Sequence, residues 1–167
     1  MRAAMGGAAL LLLVSACRVL AEPARGVDVS SLPHVEAHGA RFRDASGEAD
    51  ALTLLRRAGC DAVRLRVWHT PSEPDASLEA ILALARRAHA LDMHVLVDLH
   101  YSDTWADPGH QTPPAAWRGL AFAALADSTE RWTRDVLAAF VAQGTPPVAV
   151  QIGNEVDHGM LWELGRV

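Results

Sequence analysis

Residues 98–111 read Asp98-Leu99-His100-Tyr101-Ser102-Asp103-Thr104-Trp105-Ala106-Asp107-Pro108-Gly109-His110-Gln111, a stretch dense in carboxylates, imidazoles and aromatic rings. The apolar run Val95-Leu96-Val97 leads into it and reads as a buried strand. Such groups at the C-terminal end of a strand suit a sugar-binding cleft. Aromatic faces stack on pyranose rings, and acids and His hydrogen-bond hydroxyls. A second apolar run ends Gln151-Ile152-Gly153-Asn154-Glu155. There Glu155 is a candidate general acid/base, and Asn154 beside it can donate to a sugar hydroxyl. Read alone, that Glu could equally cap a loop.

These groups need a scaffold, and the hydrophobic pattern supplies one. Strands are expected over residues 27–30, 62–68, 94–100 and 148–156, and helices over 48–58, 77–91 and 128–143. Leu52 and Leu55 mark the apolar side of the first helix, and Gly59 ends it. Leu78, Ile81, Leu82, Ala85 and Ala88 share one face of the second, with Asp75 or Ser77 as its cap. Trp132, Val136, Phe140 and Val141 are expected inward on the third, with Asp127 and Glu130 spaced as a capping box. Strands alternating with amphipathic helices argue for an α/β fold with parallel strands. No Gly-x-Gly-x-x-Gly follows the first strand, which counts against a dinucleotide-binding sheet.

Strand parity separates the remaining α/β architectures, because successive residues point to opposite faces. Val63, Leu65 and Val67 share a face, as do Val95, Val97 and Leu99, and Val148, Val150 and Ile152. The opposite face carries Arg64, Arg66, Trp68, Asp98, His100, Gln151 and Glu155. A doubly wound sheet is covered on both sides and needs two apolar faces. A (β/α)8 TIM barrel turns its second face inward, where the upper layer opens into the active site. The barrel is the expected fold.

The chain has 167 residues, half of them apolar, and a net charge of -5. It has no basic run, so nucleic acid is not an expected partner. Met1-Arg2 followed by the apolar segment 8–14 reads as an export signal, too short for a mature membrane span. It ends in Val14-Ser15-Ala16-Cys17, like a bacterial lipobox, with Cys17 as the lipidated residue and 18–25 as a tether. The alternative is a plain secretory signal. The barrel domain then covers 26–167. Cys60 is expected to be a small buried hydrophobe. Two separate cysteines make no zinc pattern, and no cofactor is expected.

The runs Gly26-Val27-Asp28-Val29-Ser30-Ser31-Leu32, Arg64-Leu65-Arg66-Val67-Trp68, Asp98 through Gly109, Pro114-Ala115-Ala116-Trp117, Gly153-Asn154-Glu155 and Gly159-Met160-Leu161-Trp162 together resemble glycoside hydrolase family 53. This family comprises endo-β-1,4-galactanases that cut the galactan of type I arabinogalactan. The resemblance implies a retaining mechanism with two carboxylates. It implies Glu155 as the acid/base and Asn154 as the contact to the 2-hydroxyl of the reacting sugar. Arg66, or Arg64, would hold the nucleophile ionised. His100 and Asp103 would line the cleft with Asp98 inward, and Trp68, Trp105 and Trp117 are candidate sugar platforms. The family's nucleophile is a Glu on the seventh strand, and no carboxylate here matches it. Glu163 stands where the family more often has Pro, and the pattern is expected to fade after it. The chain therefore resembles the N-terminal half, about four βα units, and is expected to show little turnover without the remaining half. Two alternatives accompany this reading: a metal-dependent hydrolase using Asp98, His100, Asp103 and His110, and a surface-anchored, non-catalytic galactan-binding protein.

Overall fold

The computed structural model describes residues 25–73 and 76–167. The expected export signal, Cys17, nearly all of the tether and Asp75 lie outside the described residues. In chain order the elements are β1 (Gly26–Asp28), α1 (Leu32–Ala37), β2 (Arg43–Asp44), β3 (Gly47–Glu48), α2 (Ala51–Arg57), β4 (Ala62–Val67), α3 (Leu78–His89), β5 (His94–Leu99), α4 (Phe122–Ala142) and β6 (Ala149–Ile152). A 3-10 turn, Ala115–Trp117, precedes α4. No helix among the described residues is long and apolar enough to cross a membrane.

Four parallel strands form one sheet in the order β1-β4-β5-β6. Each new strand adds on the same side, with no reversal of order. A doubly wound sheet has such a reversal, where its ligands bind. Sequential addition is how a (β/α)8 barrel wall is built. The register sets Asp28 opposite Arg64, Arg66 opposite Asp98, and Asp98 opposite Gln151. Polar groups thus meet in layers on one face. On the other face Val63, Leu65, Val67, Val95, Val97 and Leu99 are buried in one cluster with Ile81, Leu84, Ala85 and Ala88 of α3 and Val136 and Phe140 of α4. The parity reading holds for β4 and β5.

It holds less well at the sheet's edge. Val148 and Ile152 are more than half exposed, and only Val150 packs on the core. β6 has β5 on one side and no described strand on the other. It is also shorter than 148–156, because Gly153 (φ +77°) and Glu155 (φ +48°) leave the extended region.

Three helical expectations change. α2 starts at Ala51, and Asp50 caps it by accepting from the Thr53 N–H at 3.0 Å. Glu48, expected to open that helix, instead closes a small antiparallel hairpin over 43–48, and neither this hairpin nor α1 was anticipated. Both are too short to show periodicity, although Pro33 sits in the first turn of α1, where a missing N–H costs nothing. α4 begins at Phe122, so Asp127 and Glu130 are interior positions, and Glu130 pairs with Arg134 one turn on. The alanine-rich run 121–126 extends the helix upstream. Within α4, Trp132, Val136 and Phe140 align at four-residue spacing, whereas Val141 is rotated by about 100° and lies 61% exposed. Ser77 caps α3 as expected, accepting from the Ala80 N–H at 3.3 Å. Cys60 is a free, half-buried thiol packed against the core.

Candidate active site

Arg64 organises the inner face. Its guanidinium donates to Asp28 Oδ2, to Asp98 Oδ2 at 2.6 Å, to Gln151 Oε1 at 3.2 Å and to Asn154 Oδ1 at 2.9 Å. One planar fork therefore joins β1, β5 and the end of β6 to β4, a task suited to Arg and not to the point charge of Lys. Burial works against the Asp28 carboxylate, but hydrogen bonds from Ser30 and Arg64 outweigh it and hold its pKa below the usual value. Asp98 is fully buried, and its Oδ1 has no hydrogen-bond partner among the described residues. With its donors spent in this wall, Arg64 is a structural hub here.

Asn154 is similarly committed. Its Oδ1 accepts from Arg64, and its Nδ2 donates to the Ala106 carbonyl at 2.7 Å. It ties the end of β6 to the loop after β5. Gln111, not singled out by sequence, completes this tie. Its buried Nε2 donates to the carbonyls of Asp107 at 3.0 Å and Asn154 at 2.8 Å. Its position at the end of the dense stretch was the only signal.

His100 is buried beside Asp98. Its Nδ1 accepts from the Trp68 indole N–H at 3.3 Å and the Ala106 N–H at 3.2 Å. That pattern assigns the ring proton to Nε2, which faces Asp98 Oδ2 at 2.8 Å but off hydrogen-bonding alignment. No cluster of three or more His, Cys, Asp or Glu able to hold a metal occurs among the described residues. Asp103 is occupied elsewhere, accepting from the Thr70 N–H at 2.9 Å and the Ala115 N–H at 2.7 Å. It fastens two loops instead of presenting a free carboxylate.

Trp117 corrects another expectation. It is 7% exposed and packs edge-on to Trp132 with centroids 6.3 Å apart, so it joins the core and offers no open face. His69 belongs to the same group. It lies 4.7 Å from Trp117, 5.6 Å from Trp132 and 3.6 Å from Asp103. Burial lowers its pKa, and the opposing field of Asp103 does not outweigh that. The folded state thus favours neutral imidazole. The stability this contributes is complete above the unfolded value of about 6.5 and is lost as pH falls through the lower folded value. Taking denaturation midpoints from about pH 7.5 down to about pH 5 should show a decline that His69→Gln flattens. An equal slope in both proteins would exclude His69 as its source.

Glu155 differs from every residue above. It follows β6 in the left-handed region (φ +48°), is exposed, and its carboxylate has no hydrogen bond or ion pair to a described residue. Gly153 sets up the turn that presents it. Gly153 has φ +77°, and a Cβ there would lie 2.6 Å from Val156 Cγ1 and 3.3 Å from Met160 Sδ. Gly153→Ala is expected to lower stability by about 1–3 kcal/mol in a denaturant titration. Trp105 is the other open group, 47% exposed. Arg66 is 8% exposed and lies between Trp68 and Trp105, with its guanidinium carbon 4.8 Å and 4.4 Å from their ring centroids. The wall therefore offers a free carboxylate and an exposed indole, with a hydrogen-bonded polar layer behind them.

Comparison with known proteins agrees with this geometry. The profile of glycosyl hydrolase family 53 matches residues 24–167, including the segment after Glu163 where the pattern was expected to fade. A probable arabinogalactan endo-β-1,4-galactanase A of Neosartorya fischeri is 40% identical over 161 residues, covering 94% of this chain and 45% of that protein. A solved fungal β-1,4-galactanase superposes with TM-score 0.83 at 38% identity, covering 86% of this chain and 43% of the other. The family 53 catalytic domain of Ignisphaera aggregans gives TM-score 0.82 at 36% identity, covering 89% and 44%. The chain spans under half the length of each of these relatives, and its four-stranded wall corresponds to about the first four βα units of their barrel.

Proposed function

This chain belongs to glycosyl hydrolase family 53, and from that membership we propose that it forms the acid/base wall of an endo-β-1,4-galactanase acting on type I arabinogalactan. The observation that carries the reading is the free, exposed Glu155 carboxylate at the C-terminal end of the fourth barrel strand. That end of a barrel is where active sites form. In the retaining mechanism Glu155 protonates the leaving glycosidic oxygen and later deprotonates the water that releases the sugar. The partner carboxylate, about 5–5.5 Å away in retaining enzymes, forms the covalent glycosyl intermediate. Of the carboxylates that the strands and their following loops bring to this face, Asp28 and Asp98 are engaged by Arg64 and Asp103 by backbone N–H groups, so none of these three supports that second role. The 167-residue chain alone accordingly has little turnover.

The test is release of reducing ends from β-1,4-galactan. The isolated chain should release almost none, whereas the chain joined to the remaining half of a fungal relative's barrel should do so. Normal release by the isolated chain would overturn the two-wall reading, and an inactive but folded hybrid would overturn the galactanase reading. The Val14-Ser15-Ala16-Cys17 run supports export with a lipid on Cys17. Palmitate labelling in a bacterial host should be lost in Cys17→Ala, and unlabelled wild-type protein would argue for plain secretion.

A further inference from the structure

We propose that Arg66 is a positioning residue: clamped between the indoles of Trp68 and Trp105, its guanidinium holds the exposed Trp105 ring as a fixed stacking face at the mouth of the cleft. The consequence for sugar binding rests on the galactanase reading above, but the clamp itself does not.

Arg64 and Arg66 lie on the same face of β4, yet their surroundings are opposite. Arg64 spends its donors on four acceptors. The Arg66 side chain makes no hydrogen bond or ion pair with a described residue, although it is 8% exposed. Its nitrogens still touch solvent, so the cation is only partly dehydrated, and the rest of its compensation must come from its neighbours. Two indole faces supply it: 4.8 Å and 4.4 Å both lie within the roughly 6 Å reach of a cation–π contact, and Trp is the strongest partner. Burial lowers the pKa of Arg66, while the fields of Asp28 and Asp98 oppose that and favour the charged form.

Trp68 is anchored independently by its indole N–H on His100 Nδ1. Trp105 lies in the loop after β5, outside any helix or strand. Its indole N–H has no partner among the described residues, where its ring makes one cation–π contact, to the guanidinium, and one aromatic contact, edge-on to His100 at 5.5 Å. A large aromatic that is 47% exposed and so lightly held would reorient readily without the cation beneath it. A planar guanidinium stacks on two rings at once, which an ammonium cannot do. Rigid presentation of the ring matters because ordering a loose side chain during binding subtracts from affinity.

The experiment uses the full chain and the variants Arg66→Met, Arg66→Lys, Trp105→Ala and Arg66→Met/Trp105→Ala. Acrylamide quenching without ligand, taken as the difference from a Trp105→Phe protein, reports the Trp105 ring alone. Arg66→Met should raise it clearly, and Arg66→Lys should fall between Met and wild type. Calorimetry with β-1,4-galactotetraose should show affinity reduced about tenfold in Arg66→Met. The double variant should be no weaker than Trp105→Ala alone, because the two residues act as one unit. Unchanged quenching, or losses of affinity that simply add, would overturn the proposal. If wild type does not bind the tetraose, the affinity arm moves to the chain joined to the remaining half of a fungal relative's barrel, where absence of binding counts against the galactanase reading and the quenching result alone decides the clamp. Should Arg66→Met fail to fold by far-ultraviolet circular dichroism, Arg66→Lys carries both measurements. An intermediate loss then supports the clamp and wild-type behaviour refutes it.

Discussion

Arg64→Met is expected to cost about 3–5 kcal/mol of folding stability, the usual penalty for removing one partner of a buried charge network. Arg64 makes the direct hydrogen-bonded ion pair to Asp98 at 2.6 Å, and Asp98 is 0% exposed with a second oxygen that has no partner among the described residues. Removing the guanidinium leaves that carboxylate buried and uncompensated. It also removes donors from Asp28, Gln151 and Asn154 in one step. Domains of this kind have a net stability of about 5–15 kcal/mol, so most of the margin would disappear. Urea titration followed by circular dichroism measures the loss. Arg64→Lys should rescue only part of it, because one ammonium cannot reach four acceptors on three chain segments. A midpoint within error of wild type for Arg64→Met would mean that the inner layer is held by something other than this fork.

The second large effect is on catalysis. In a barrel completed with the other half of a family relative, Glu155→Gln should lower the rate on β-1,4-galactan by about 10²–10⁴, the range typical of a general acid/base. The amide keeps the shape and exposure of the side chain, so the loss should lie in proton transfer and not in folding. The choice of substrate separates the roles. A galactoside whose leaving group is a good anion needs no protonation, so glycosyl transfer from it should be far less affected. Equal loss on both substrates would point to misplacement of the turn, and activity within about twofold of the parent would remove Glu155 from the acid/base role.

The sheet was legible before the structure because its signals are local. Alternation of apolar and polar residues in 62–68 and 94–100 follows directly from the pleat. The buried faces of β4 and β5 agree with it. The small elements were not legible: α1 and the 43–48 hairpin are shorter than the window in which a period shows. The start of α4 was misplaced because Asp127 and Glu130 mimic a cap, while an alanine-rich run carries the helix past them. β6 departed from its pattern because the fate of an aliphatic face depends on what packs over it.

For the site, sequence alone determined which residues gather at the C-terminal ends of the strands, since chain order and parity suffice for that. Only the tertiary structure decided which of them have hydrogen-bonding or stacking capacity to spare. Arg64, Asn154 and Asp103 are saturated by partners, and Trp117 is absorbed into the core. Glu155 and Trp105 stay open. The physical reason is the range of the interactions: Arg64 and Asn154 are 90 residues apart in the chain, and no local pattern records that one satisfies the other.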